Sequence, residues 1–220
     1  MMGNFVITLE DEPAQHLMKK DRRLAAAMRA IGSLDCSVHE DGYAFTVGEI
    51  MEQMLSTKVS RVLYGRLTAL CGGSITPQAI AGLDTETLRS VGISRAKANC
   101  ILDFTKGVQE GKIDFAKFPE MSDEEVMQQL TQVRGIGPWT AKMVLIFVLG
   151  RPDVLPYEDG AFLAAYRWLY DTGDTSRAAV QQKCRKWKPY TSIAARYLYR
   201  ALDTGLTARK IVHKNGYIVS

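Results

Sequence analysis

Residues 122–150 read SDEEVMQQLTQVRGIGPWTAKMVLIFVLG, and this stretch decides the fold. Ser122 with Glu125 three residues on is a capping box, each side chain bonding the other's backbone N–H, and it starts a helix. Val126, Leu130 and Val133 recur at helical spacing and give that helix one apolar side. Gly135-Ile136-Gly137 then turns the chain, because glycine accepts backbone angles that other residues resist. Pro138 stands where a first helical residue belongs, and Gly150 stands just past the end of the following apolar run. Two short helices joined by a glycine hairpin result, over about residues 122–149.

Such a hairpin has a chemical use. N–H groups at the start of its second helix lack intrahelical acceptors and sit at the positive end of the helix dipole. A DNA phosphate can dock there without any base being read. Gly135, Gly137 and Trp139 are the candidate backbone contacts, with Arg134 and Lys142 as nearby cations. The carbonyls of Thr131, Val133 and Ile136 can hold a monovalent cation, Na+ or K+. A short glycine turn is also a common packing element, so the hairpin alone names no function.

Outward from the hairpin, glycine and proline cut the chain into short helical segments, and few stretches alternate like strands. Leu17 to Ile31 carries apolar residues at 17, 24, 25, 28 and 31 and reads as one amphipathic helix. Residues 33–47 read as a loop with a turn at Asp41-Gly42, and Glu49 to Leu70 as a helical segment ended by Gly72-Gly73. Thr76-Pro77 opens another helix, Thr85 to Ser90 a shorter one, and Ser94 begins a third. The predicted class is all-α, with the 220 residues forming one domain of two lobes.

Composition bounds the partners. The apolar run from Trp139 to Leu149 is too short for a bilayer, so no membrane role is expected. No basic-then-apolar leader is visible, and a cytoplasmic location is the default. Cys36, Cys71, Cys100 and Cys184 are too scattered for a metal knuckle or an iron–sulfur cluster and are expected as buried thiols. From Tyr170 to Ser220, ten Lys or Arg face three Asp, a net of +7 in a chain of net +4. That bias suits a nucleic-acid partner and equally a solvated face.

The stretch LTQVRGIGPWTAKMVLIFVLGRPDVLPYEDGAF resembles the helix-hairpin-helix, Gly/Pro…Asp superfamily of base-excision DNA glycosylases, nearest to the 3-methyladenine DNA glycosylase II type. The family pattern is a GxG hairpin, a buried helix, a Gly/Pro-rich loop and then an aspartate. Here these are Gly135 and Gly137, the loop from Gly150 to Pro156, and Asp159. Gln53-Met54-Leu55-Ser56 and Trp187-Lys188-Pro189-Tyr190 extend the likeness over roughly residues 20–205. The resemblance implies a two-lobed helical fold, N- and C-terminal segments in one lobe and about 45–150 in the other, with hairpin and active site at the cleft.

It also implies a chemistry. Breaking an N-glycosidic bond builds positive charge on the sugar, which a carboxylate stabilises while it orients water. Asp159 is the residue that matches the family's aspartate; by position alone it also reads as a plain N-cap, and Asp153 and Glu158 are rival carboxylates. Strand-cutting members carry a Schiff-base lysine where this chain has Trp139, so the resemblance implies a monofunctional enzyme without a catalytic cofactor.

Trp139, Tyr190, Met143 and Tyr157 are implied to line a base pocket, with packing in the core as the other reading for each. Where relatives often place an aromatic one turn beyond the tryptophan, Met143 stands, which leaves the range of bases open. Met54, after Gln53, falls at the position that fills the gap left by a flipped base, or else packs in a core. Lys183–Lys188 is a further phosphate-contact candidate. The expected partner is duplex DNA with a damaged base, the expected form a monomer, and alkylated purines the expected substrate. A non-catalytic DNA-binding module and a glycosylase for uracil, mismatched or oxidised bases are the alternatives.

Overall fold

The computed structural model describes the backbone of residues 6–212 and 217–219, and the side chains of residues 6–209 except Thr57. Of the basic C-terminal third, the side chains of Lys210 and Lys214 lie outside the described residues, as do residues 1–5 of the chain start. A short strand β1 (Val6–Ile7) precedes helices α1 (Glu12–Lys20) and α2 (Arg22–Ile31), and β2 (Leu34–Asp35) pairs with β1 antiparallel. The middle of the chain forms α3 (Gly42–Glu52), α4 (Thr57–Leu70), α5 (Pro77–Ala81), α6 (Thr85–Arg89), α7 (Arg95–Gln109), α8 (Asp123–Thr131) and α9 (Pro138–Phe147). Then come α10 (Gly160–Tyr170), α11 (Arg177–Cys184), α12 (Thr191–Asp203) and the antiparallel pair β3 (Lys210–Val212) with β4 (Tyr217–Val219). The fold is all-α, and no helix among the described residues is long and apolar enough to cross a membrane.

The chain divides into two compact units, Met1–Val38 with Gly150–Ser220, and His39–Leu149. In the first, Leu17, Leu24 and Met28 of the two opening helices pack with Phe162, Trp187, Tyr197 and Leu198 in one buried cluster. Each such side chain removed from water contributes about 1.5–3 kcal/mol. Residues 17–31 are two helices and not one. Asp21 breaks them apart: its extended backbone ends α1, and its carboxylate caps α2 by accepting the N–H groups of Arg23 and Leu24 at 3.1 and 3.2 Å.

Asp21 is only 2% exposed, and it is well supplied with donors. Trp187 Nε1 donates at 2.9 Å, Lys186 Nζ lies at 3.0 Å, and the Tyr170 hydroxyl donates as well. Burial alone would raise the carboxyl pKa, but the bonds from Tyr170, Trp187 and Lys186 outweigh it and hold the group below its usual range.

In the 39–149 unit, Tyr43 and Phe104 stack at 5.3 Å, and the Tyr43 hydroxyl pairs with Thr105 Oγ1 at 2.7 Å. Two expectations fail here. Asp41-Gly42 is the start of a helix rather than a turn inside a loop: Asp41 caps α3 through the Ala44 N–H, and Gly42 stands so near Phe115 that a Cβ would lie 2.5 Å from its ring. The segment from Glu49 to Leu70 is not continuous. It is cut at Gln53–Ser56, where Met54 has a left-handed φ of 59° and Ser56 starts α4. Cys36, Cys100 and Cys184 are buried free thiols as expected, but Cys71 is half-buried at the end of α4.

Candidate functional site

The hairpin forms where its pattern placed it. The Ser122–Glu125 capping box starts α8, and Val126 and Leu130 are buried on its apolar side while Val133 is half-buried. The turn closes with Val133 N–H on Leu130 O at 3.2 Å and Ile136 N–H on Val133 O at 3.0 Å. The two glycines are not equivalent. Gly135 has φ 101°, and a Cβ there would stand 2.9 Å from Cys100 Sγ. Gly137, the N-cap of α9, has an ordinary φ of −100° and open space around it. Only Gly135 is required by the fold itself.

Of the carbonyls expected to face a cation, that of Val133 already accepts the Ile136 N–H and retains a second lone pair. Thr131 turns its hydroxyl back onto Met127 O at 2.7 Å, and Ile136 is buried. Among the cations, Arg134 is exposed on the turn. Lys142 is not the exposed surface charge expected: it stands on α9, whose residues 140–146 are all buried, and is 7% exposed. Met143 is buried on the same helix, and Trp139 is half-buried in its first turn.

Gln53 and Met54 part company. The Gln53 side chain does not project as a wedge; its Nε2 donates to Gly135 O at 3.0 Å and to Thr140 Oγ1 at 3.2 Å, tying the α3–α4 junction to the hairpin. Met54 beside it is fully exposed, which excludes core packing. Lys97 lies in the first turn of α7, where the sequence carries no motif. Its ammonium nevertheless donates to Met51 O and Gln53 O at 2.8 and 2.7 Å.

In the other unit, Asp159 is both a cap and a buried carboxylate. It is 8% exposed, and its Oδ1 accepts the Phe162 N–H at 2.6 Å at the start of α10. The loop before it is pinned to the first turn of α12: Ser192 N–H donates to Pro152 O, and Val154 N–H to Ser192 Oγ, both at 2.9 Å. The rival Asp153 is spent on this pinning, with the Thr191 hydroxyl on one oxygen and Lys188 Nζ 3.2 Å from the other. Glu158 is exposed.

Tyr190 is half-buried, its hydroxyl bonded to Glu12 Oε2 at 2.5 Å and its ring edge-on to His16 at 5.4 Å. Tyr157 lies under the Arg177 guanidinium at 4.7 Å. In the Lys183–Lys188 stretch, Lys186 is committed to Asp21 and Lys188 to Asp153, while Lys183 stands over the Tyr170 ring at 5.1 Å and Arg185 is exposed.

A family model described as HhH-GPD superfamily base excision DNA repair protein matches residues 47–189. A putative DNA-3-methyladenine glycosylase of Bacillus subtilis is 35% identical over 128 residues, 58% of this chain and 45% of that protein. The chain thus spans less than half the length of that relative. DNA-3-methyladenine glycosylase 1 of Schizosaccharomyces pombe is 29% identical over 165 residues, covering 73% of this chain and 72% of that one. The solved structure of the Schizosaccharomyces pombe 3-methyladenine DNA glycosylase in complex with abasic DNA aligns with a TM-score of 0.82 at 26% identity, over 88% of this chain and 97% of that chain.

Proposed function

This chain belongs to the HhH-GPD superfamily of base excision DNA repair proteins, and from that premise we propose that it is a monofunctional DNA glycosylase. It turns a damaged nucleotide, an alkylated purine, out of the duplex and hydrolyses its N-glycosidic bond. One observation carries the assignment: Asp159 places a buried carboxylate at a helix start, while Asp153 is bound to Thr191 and Lys188 and Glu158 is exposed.

When the C1′–N bond breaks, its electron pair leaves with the base and positive charge develops on the sugar. The Asp159 carboxylate stabilises that charge and orients a water, whose oxygen bonds to C1′ while its proton passes through the carboxylate to solvent. A methylated purine is already cationic, which makes it a good leaving group and draws it to an electron-rich aromatic face such as that of Trp139. With Trp139 where a lysine would be needed, no amine attacks the sugar, and the product is an uncut abasic strand.

Backbone N–H groups at Gly135, Gly137 and Trp139 hold a phosphodiester, with Arg134 adding charge. Neutral carbonyl donors at Thr131, Val133 and Ile136 suit a monovalent cation, which would supply positive charge beside that phosphodiester. Met54 fills the gap left in the stack. One active site suffices, so the protein works as a monomer.

The test is single-turnover incubation with duplexes bearing one 7-methylguanine, uracil or 8-oxoguanine each, with abasic sites revealed by alkali. Release of the methylated purine, with the strand intact until alkali is added, is expected. Duplex binding without release from any substrate overturns the enzyme, preferred release of uracil or 8-oxoguanine overturns the substrate class, and scission without alkali overturns monofunctionality.

A further inference from the structure

The α3–α4 junction holds two features that the protein's own packing does not repay. Met54 has a left-handed φ of 59°, which an L side chain adopts at a cost, and its side chain is 102% exposed. Strain without burial needs an external restraint, and the hydrogen bonds around the junction supply it. Gln53 N–H closes on Glu49 O at 3.2 Å and Leu55 N–H on Glu52 O at 2.9 Å. The carbonyls of Met51 and Gln53, at the open end of α3, both go to Lys97 Nζ at 2.8 and 2.7 Å. A cation at a helix C-terminus also meets the negative end of its dipole. Lys97 is half-buried, and that burial pushes its ammonium pKa below its usual range.

Lys97 does not act alone on α7. Cys100, three residues on and so on the same side of the helix, is the residue against which Gly135 packs, with 2.9 Å between its Sγ and the place of a Cβ. One helix face therefore touches both the wedge junction, through Lys97, and the hairpin, through Cys100. Gln53 closes the triangle by bonding Gly135 O directly. We propose that Lys97 is a positioning residue for base excision: by holding the Met51 and Gln53 carbonyls it fixes Met54 in its projecting left-handed conformation, in register with the hairpin. This rests on the reading of Met54 as the wedge.

A double-mutant cycle on single-turnover release of 7-methylguanine from duplex DNA tests it, with fluorescence of a 2-aminopurine beside the lesion as the readout of unstacking and thermal melting as the control. Lys97→Met is expected to slow release about tenfold and to reduce the unstacking signal. Met54→Ala should slow release to a similar degree, and the double variant should be no slower than Met54→Ala. Lys97→Arg, whose guanidinium can still donate to both carbonyls, should recover more than half of the rate and guards against a Lys97→Met variant that fails to fold.

Wild-type release by Lys97→Met, losses that multiply in the double variant, or an arginine variant as slow as the methionine one would overturn the role of Lys97 alone. Wild-type release by Met54→Ala would overturn the wedge reading, and this proposal with it.

Discussion

Alanine at the two hairpin glycines should separate folding from DNA binding. At Gly135 the backbone sits at φ 101°, and a new Cβ would stand 2.9 Å from the buried Cys100 Sγ and 3.1 Å from its Cβ. The backbone term costs about 1–2 kcal/mol and forcing a methyl into a filled space about 1–3 kcal/mol. Because the clash is relieved in part by a small shift of the turn, a sum of about 2–4 kcal/mol is expected, which lowers Tm by roughly 5–15 °C in a chain of this size. At Gly137 the φ is ordinary and nothing lies within 4 Å of the added Cβ. Alanine there gains about 0.4–1 kcal/mol through the unfolded chain and loses a similar amount as a poorer N-cap. Its Tm should therefore stay within about 3 °C of wild type. Yet its methyl group would stand at the mouth of α9, where a phosphate must approach, and duplex affinity should fall about tenfold. Circular dichroism melting and fluorescence anisotropy with an undamaged duplex read the two effects. Equal melting of both variants, or wild-type binding by Gly137→Ala, would rule out this division of roles between the two glycines.

Asp21→Asn should cost about 2–4 kcal/mol, because Lys186, Tyr170 and Trp187 lose a charged acceptor in a buried place. The wild-type group has a folded pKa below its usual 3.8, so its stabilisation is complete above the unfolded value and is lost as pH falls through the folded one. Urea midpoints should drop more steeply below about pH 4 in wild type than in the variant; parallel pH profiles would contradict this. In native protein a thiol reagent should modify the half-buried Cys71 first. Burial pushes the Cys36 and Cys100 thiols up to about 11 and about 12, so these two should react only on unfolding, and rapid native labelling of Cys100, located by mass spectrometry, would count against the packing at Gly135.

The hairpin was legible because each of its signals is local. A capping box, a glycine turn and a proline at the first helical position need no knowledge of the rest of the chain. What misled were segments whose fate is decided by a partner distant in sequence. Asp21 reads as one polar residue within an amphipathic pattern, and it breaks the helix because Tyr170, Lys186 and Trp187 converge on it from the far end of the chain. Gly42 looks like a turn until Phe115 is seen to need the space. Met54 continues the apolar period of a helix, and partners as distant as Lys97 and Gly135, 43 and 81 positions away, help hold the junction open around it.

The candidate site followed the same division. Asp159 as a helix cap was plain from its place before GAFLAAYRWLY, whereas the commitment of Asp153 to Thr191 and Lys188 could not be read from spacing. The burial of Lys142 is equally hidden from the sequence, because a lysine in an apolar run says nothing about which way its helix faces.

Replacing Asp159 by asparagine isolates the carboxylate that stabilises the sugar cation. Asparagine caps a helix about as well as aspartate, so Tm and duplex affinity should change little. Single-turnover release of 7-methylguanine should fall about a hundredfold or more, because a neutral amide cannot balance the developing charge. Release at the wild-type rate by a folded, DNA-binding Asp159→Asn protein would remove Asp159 from the chemistry.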